Sequence, residues 1–497
     1  MKEEGQQDLK RNWILAALML TMVLAAMDTT IVATAIPQIV GDLGGFSLFS
    51  WLFSIYLLVQ TITIPLYGKL ADLYGRKPII IYGIVVFLIG SAACGFSWNM
   101  PSLIVFRGVQ ALGAGAIMAT INTIAGDIYT IEERAKIQGW LSSVWGISAI
   151  LGPSIGGALA DYASWHWIFF INIPVGIVTI FIISKFLHEQ KPVKKPKIDW
   201  AGAISMLVAG TVIMFGLLQS GQSWPWISFN TLAFLVASII LVNISMRIQR
   251  KAENPILPIW VWKKKVLLGA NLATIGMGVI MMGPNMYLPV FAQSVTGVGA
   301  IAAGFILASM SITWPLSSAL SGKLYLRIGF RNTALFGISI VAIATFGFLF
   351  IQFPGPVWQL VTIQMLLGAG FGLISTPLLV GVQSTVQYEN RGVVTGANMF
   401  SRYFGQSLGA AIFAVVFNYG IRKKMESAPE SLKSDLPGVN QLVDVMQSPN
   451  SSSEMTLFLR ESFFEATHSV YFGLTIVAVL TLFILLWTPA KFPTIKK

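Results

Sequence analysis

Long apolar stretches dominate this chain and leave it few ways to fold. Helices of roughly lipid-spanning length are predicted at 13–36, 49–67, 79–97, 102–125, 139–160, 166–187, 200–218 and 229–246. Six more follow at 266–290, 301–320, 333–353, 357–379, 393–417 and 467–488. About 20 apolar residues cross a hydrocarbon core of about 30 Å. A water-exposed surface could not be built from what is left. Only 11% of residues are charged, against roughly 25% in a soluble domain. The expected fold is therefore all-α and integral to a membrane, with fourteen spans; a soluble enzyme and a disordered chain are excluded.

The basic residues set a topology. The net charge is +12, which in a soluble protein would suggest nucleic acid. Here Lys69, Arg76 and Lys77 follow predicted helix 2, and Arg134 and Lys136 follow helix 4. Lys191, Lys194, Lys195 and Lys197 follow helix 6, and a cluster from Arg247 to Lys265 follows helix 8. Lys323, Arg327 and Arg331 follow helix 10, Arg391 follows helix 12, and Lys491, Lys496 and Lys497 follow helix 14. Short loops after odd-numbered helices 1 to 11 carry no Lys or Arg. The positive-inside rule then puts both termini in the cytoplasm. The long loop at 419–466 holds Arg422, Lys423, Lys424, Lys433 and Arg460 but is placed outside, because long loops translocate largely regardless of charge. The apolar run after Lys10 and Arg11 is too long for a cleavable signal and is read as the first span.

An internal repeat divides the chain. Gly68-Lys69-Leu70 recurs as Gly322-Lys323-Leu324, and Leu112-Gly113-Ala114-Gly115 recurs as Leu367-Gly368-Ala369-Gly370. Gly152, Ser154 and Gly156 recur as Gly405, Ser407 and Gly409. The expected organisation is a six-helix bundle at 1–190 and two inserted helices with linkers at 191–265. The second bundle has its first five helices at 266–418, the loop at 419–466, and the last helix with a cytoplasmic tail at 467–497. Repeated six-helix halves are a transporter plan, with substrate bound between them.

The halves differ in charge. Asp28 maps by the repeat to Ile280-Met281-Met282, Arg107 to the vicinity of Thr362, and Asp72 to Leu326. At 1.5 Å per residue, Asp28 and Arg107 both lie about 9 Å below the outer face. Intramembrane charges mark function by default. Asp28 is therefore expected to face the interior between the bundles as a proton acceptor, with Arg107 tuning it. The segment from Gly68 to Lys77 is expected as a glycine-hinged turn. Its Asp72 would sit at a neighbouring helix N-terminus, and Arg76 and Lys77 would pair with Asp127. Ser148, Gly152, Gly156 and Ala160 share one face of helix 5, repeated by Ser401, Gly405 and Gly409; this face, with a kink at Pro153, is expected to form a dry seam between halves. Arg402, in the middle of helix 13, is a further candidate.

Several apparent motifs carry no chemistry. Gly405-x-Ser407-x-Gly409 has the nucleophile-elbow spacing but lies within an apolar helix. Neither Gly-Lys pair is followed by Ser or Thr, so no P-loop is present. One cysteine, Cys94, excludes an intrachain disulfide and a cysteine metal cage, and the three histidines are scattered. No catalytic residue, metal or cofactor is expected.

These residues resemble the major facilitator superfamily, and within it the fourteen-helix drug:proton antiporters. Gly68, Asp72, Gly75, Arg76 and Lys77 resemble its motif A. Arg107, Gln110, Gly113 and Gly115 resemble motif B, and Gly146, Gly152, Pro153, Gly156 and Gly157 resemble the antiporter motif C. Asp28-Thr29-Thr30-Ile31-Val32, and Trp165 to Pro174, are similar to signatures of that subfamily. The resemblance implies proton-driven drug export across a bacterial plasma membrane. It assigns coupling to Asp28 and Arg107 and gating to Asp72, Arg76 and Asp127. Ala33 and His166 depart from the usual Asn and Arg, and helix 13 lacks the carboxylate of some cation exporters. Neutral, zwitterionic or monocationic amphiphiles are the expected substrates of a monomer powered by the proton gradient. An exporter dedicated to tetracycline, a siderophore, a lipid or an amino acid is the alternative. Candidate pocket residues are Gln60, Asn122, Trp145, Asn285, Tyr287, Trp314, Gln364 and Asn398.

Overall fold

The computed structural model describes residues 2–44, 48, 50–189, 199–219, 224–225, 228–256, 258–353, 355–429, 432 and 453–493. It is built from fourteen membrane-length helices. The first half comprises α1 (Lys2–Thr34), α2 (Ser50–Tyr74), α3 (Arg76–Gly95), α4 (Met100–Ile128), α5 (Ile131–Tyr162) and α6 (Trp167–Phe186, interrupted at Ile171). Two further helices follow, α7 (Trp200–Gln219) and α8 (Phe229–Lys251). The second half comprises α9 (Lys265–Ser294), α10 (Ala300–Ile328), α11 (Phe330–Gly347), α12 (Val357–Ser384), α13 (Arg391–Glu426) and α14 (Ser453–Trp487). Lys433, the linker lysines at 191–197, the Asn450-Ser451-Ser452 sequence and the final lysines lie outside the described residues, as do the side chains of Ala33, Pro153 and Ala160.

Local chemistry fixes several helix ends. Asn99 accepts from the Ser102 amide at 2.8 Å while Ser102 Oγ takes the Asn99 amide, a reciprocal cap on α4. The Thr130 amide donates to Glu133 Oε2 at 2.9 Å at the start of α5. Between α2 and α3, and again between α10 and α11, a single glycine turns the chain. Gly75 has φ 101° and Gly329 has φ 86°, conformations that a Cβ would strain. The expected turn over Gly68–Lys77 is therefore corrected to Gly75 alone, because α2 stays helical through Tyr74.

The expected loop at 419–466 is also shorter than its sequence suggested. α13 continues to Glu426 and α14 begins at Ser453. The extensions pair with each other: Lys424 Nζ meets Glu465 Oε1 at 2.6 Å, and the Phe417 and Phe463 rings lie 5.0 Å apart.

Each half has its own core. Ile84, Phe87, Ile117 and Ile121 are buried in the first, and Phe291, Phe348, Phe371 and Tyr471 in the second. The halves meet along two seams. On one, α2 touches α13 so closely that a Cβ on Gly68 would stand 2.5 Å from the Gly392 carbonyl oxygen. On the other, α5 meets α10: a Cβ on Gly139 would lie 2.9 Å from the Pro315 oxygen, and one on Gly146 would lie 3.0 Å from the Ser311 oxygen. The small-residue face expected to make this seam does a different job. Gly152 fits against Thr30 of α1, and Gly405 and Gly409 fit against Ile275 and Val279 of α9, so these contacts lie within each half. Gly157 has open space where a Cβ would project.

The repeat is also visible in packing. Gly113 lies against the Gly83 oxygen and Phe87, as Gly370 lies against the Gly337 oxygen and Val341. Gly115 fits over Gln60 and Thr63, as Gly372 fits over Trp314 and Ser317. Along α4 and α12 the structural register is thus two residues longer than the matching Leu-Gly-Ala-Gly strings implied. The counterpart of Arg107 becomes Gln364 rather than a residue near Thr362.

Candidate functional site

Three layers lie along the interface between the halves. The first is an ionic lattice at the end of the bundle nearest both termini. Asp72, near the end of α2, accepts from the Gly392 amide at 2.9 Å and the Val393 amide at 2.8 Å. Its carboxylate thus occupies the N-terminus of α13 in the opposite half, where unpaired amides and the helix dipole favour an anion. Arg76 holds Asp72 at 2.9 Å and Asp127 at 2.9 Å, while Arg391 of α13 reaches the other Asp127 oxygen at 2.8 Å. The Arg76 guanidinium also lies 3.8 Å over the Tyr388 ring. Lys77 does not join this lattice; its ammonium donates to the Ser184 carbonyl at 2.7 Å, because the first turn of α3 directs it along α6.

Sequence reading missed Glu189 and the gating partners Arg391 and Tyr388. Glu189 accepts from the Arg76 and Lys77 amides at 2.8 and 3.0 Å and takes the Tyr388 hydroxyl at 2.8 Å. No local pattern marks a residue whose partners lie more than a hundred positions away. Tyr325 of α10 donates to the Ile131 carbonyl, tying α5 to the second half at this same end.

The second layer is the Asp28 cluster. Arg107 Nη1 donates to Asp28 Oδ2 and, at 2.8 Å, to Gln110 Oε1, and Gln110 Nε2 donates to Asp28 Oδ1 at 2.7 Å. Both charged side chains have no exposed surface. The guanidinium lies 4.3 Å over the ring of Tyr56, whose hydroxyl has no hydrogen-bond partner. Gln110, read from sequence only as part of a motif, completes the ring. The expectation that Asp28 faces the space between the bundles is corrected. Its carboxylate points from α1 into the first bundle, because its partners Arg107 and Gln110 both stand on α4. Its neighbours Ala26 and Thr30 line the space instead.

That space is the third layer, a central cavity of about 480 Å³ enclosed by α1, α4, α5, α9, α10, α12 and α13. Five of the expected pocket residues line it: Asn122, Trp145, Asn285, Trp314 and Asn398. Three do not. Gln60 is buried where Gly115 of α4 packs on α2. Tyr287 stacks on Phe417 at 4.7 Å, and Gln364 is buried inside the second bundle with neither amide atom bonded. Met22, Met118, Met277, Met281, Met310 and Met399 contribute flexible, polarisable walls that sequence did not single out. Arg402 and Gln406 also face it. Asn122 forms the floor toward the sealed end: its carbonyl accepts from Gln383 of α12 at 3.0 Å, and its amide lies 3.7 Å from Met399 sulfur. Large, mostly apolar and lined by a few convergent polar groups, the cavity has the form of a small-molecule site.

Comparison with known proteins agrees. The family model "Major Facilitator Superfamily" matches residues 18–410. The "Multidrug transporter protein MdtP" of Bacillus subtilis (strain 168) is 31% identical over 99% of this chain and 95% of its own length. "Multidrug resistance protein 3" of the same organism is 35% identical over 85% of this chain and 82% of its own. The crystal structure of the human organic anion transporter MFSD10 (TETRAN) shares the fold, with a TM-score of 0.65 at 12% identity, covering 95% of this chain and 99% of that one. The molecule is a membrane transporter rather than an enzyme. With fourteen spans and relatives named as multidrug transporters, the chain belongs to the major facilitator superfamily and is consistent with its fourteen-helix drug-transporter branch.

Proposed function

We propose that the chain is a proton-coupled multidrug efflux antiporter of a bacterial plasma membrane, acting as a monomer with both termini in the cytoplasm. It exports amphiphilic compounds by rocking its two halves, with the proton gradient as its energy source and no cofactor. The observation that carries this reading is the carboxylate of Asp28, fully enclosed and held by Arg107 and Gln110 directly behind the cavity wall.

The cavity is sealed toward the termini by the Asp72, Arg76, Asp127 and Arg391 lattice, which corresponds to a cytoplasm-closed state. A proton on Asp28 removes its attraction for Arg107 and loosens α1 from α4. The change reaches the seam through α1, because Thr30 Oγ1 donates to the Ser148 carbonyl of α5 at 3.1 Å and Gly152 packs on the same threonine. α5 in turn bears on α10 at Gly139 and Gly146. Proton and substrate thus communicate through helix contacts, not through a shared pocket.

Reconstituted in vesicles with an imposed pH gradient, the wild-type chain should concentrate an amphiphilic dye. The Asp28→Asn variant should lose at least nine-tenths of that activity, by analogy with the large losses expected when a buried functional charge is removed. Concentrative transport by a folded Asp28→Asn variant would overturn the reading.

A further inference from the structure

We propose that Arg402 forms an anion-binding subsite in the central cavity, so that preferred substrates carry one delocalised negative group, a carboxylate or sulfonate, on an apolar body. The inference rests on the efflux reading but concerns equilibrium binding, which is measurable without transport.

Arg402 stands in the first half of α13, between Asn398 one turn before and Gln406 one turn after, and all three line the cavity. It carries the one formal charge among the described lining residues. Among the described residues, no carboxylate forms an ion pair with it. The chain has no Asp or Glu at 265–388 or at 390–425, which covers every second-half helix that walls the cavity except the last residue of α13, Glu426. On the first-half walls, Asp28 is committed to Arg107 and Gln110, and Asp127 is committed to Arg76 and Arg391 at the sealed end. Glu133, at the start of α5, pairs with Arg11 at that same end.

The guanidinium is nevertheless held in place. Its carbon lies 5.0 Å from the Trp314 ring centroid, and the indole is anchored by its own donation to Ser375 Oγ at 3.3 Å. An aromatic face steadies a cation without cancelling its charge. Arg402 Nε has no hydrogen-bond partner. An anion that presents two oxygens side by side, as a carboxylate or one edge of a sulfonate does, suits the guanidinium fork, and the methionine walls suit an apolar body. A cation would meet repulsion with no acid to offset it. This changes the expectation from sequence, which named neutral, zwitterionic or monocationic amphiphiles: anions join zwitterions as favoured, and monocations are disfavoured.

The test uses the full chain in nanodiscs, with empty nanodiscs subtracted, and two probes built on one scaffold: anilinonaphthalene sulfonate and the uncharged N-phenylnaphthylamine. Wild type should bind the sulfonate at least tenfold more tightly than the neutral probe; a ratio of one or less overturns the proposal whether or not any variant folds. Arg402→Gln should cut the sulfonate preference at least tenfold, and Arg402→Lys should retain part of it. Arg402→Glu should shift preference toward the cationic dye ethidium. Equal loss of both naphthyl probes in Arg402→Gln would mean a structural role and would sink the subsite. Asp28→Asn separates the two readings: it should abolish gradient-driven transport and leave the sulfonate preference in place. If Asp28→Asn still transports while the preference follows Arg402, the coupling reading fails and the subsite stands.

Discussion

The two bundles share a packing scheme and differ in what they bury. Gly113 and Gly370, and Gly115 and Gly372, occupy matching contacts in the two halves. At the centre of the first half are Asp28, Arg107, Gln110 and Tyr56. The corresponding second-half positions are Met282, Gln364, Leu367 and Met310. One half has kept an ion pair with every Asp28 oxygen satisfied, and the other has kept one buried amide with neither atom bonded. Scaffold and chemistry can therefore diverge independently: the glycines preserve helix approach while the charges are free to specialise.

The largest test of this contrast is stability. Arg107→Ala strands a buried carboxylate and should cost about 3–5 kcal/mol. Gln364→Leu removes an unsatisfied amide and should be neutral or stabilising by roughly 1 kcal/mol. Unfolding of both purified variants in detergent compares them directly; similar losses would erase the distinction. Next come the paired glycines. Gly372→Ala should cost roughly 1–3 kcal/mol by overpacking, because a Cβ there would stand 2.5 Å from the Trp314 carbonyl oxygen. Gly115→Ala should cost less, since the atom it meets first is the side chain of Thr63, which can rotate, and the Gln60 oxygen is 3.2 Å away. A reversed order would mean that the closer backbone oxygen at Gly372 does not set the cost.

Smaller again is Asp72→Asn, which weakens the cap on α13 by about 1 kcal/mol. It should raise hydrogen exchange at Gly392 and Val393. Its repeat counterpart Leu326 is 51% exposed, and Leu326→Ala should change stability by less than about 0.5 kcal/mol. The smallest effect belongs to the exposed pair Lys424 and Glu465 at the opposite end, where Lys424→Gln should shift stability by no more than about 1 kcal/mol.

The sequence carried the fold well because apolar length and loop charge are local quantities. It also carried Asp28 with Arg107, since depth in a helix can be counted by residue, and Asp72 at a helix N-terminus. It failed where direction matters. The side on which Asp28 projects, the partner of Lys77 and the face of α5 that meets α10 all depend on helix rotation, which runs of apolar residues on every side leave unspecified. Gln60, Tyr287 and Gln364 failed as pocket residues for the same reason: polarity marked them as special, but they turn into their own bundles.

The inserted helices give the two seams unequal surroundings. Met214 of α7 packs on Leu58 and Ile62 of α2, with Phe404 of α13 beside them, so α7 roofs the α2–α13 flank. Along the α5–α10 flank, Ile147, Leu151, Ile312 and Leu316 stand uncovered. In a bilayer, lipid therefore lies directly against the α5–α10 flank, whereas α7 stands between lipid and the α2–α13 flank.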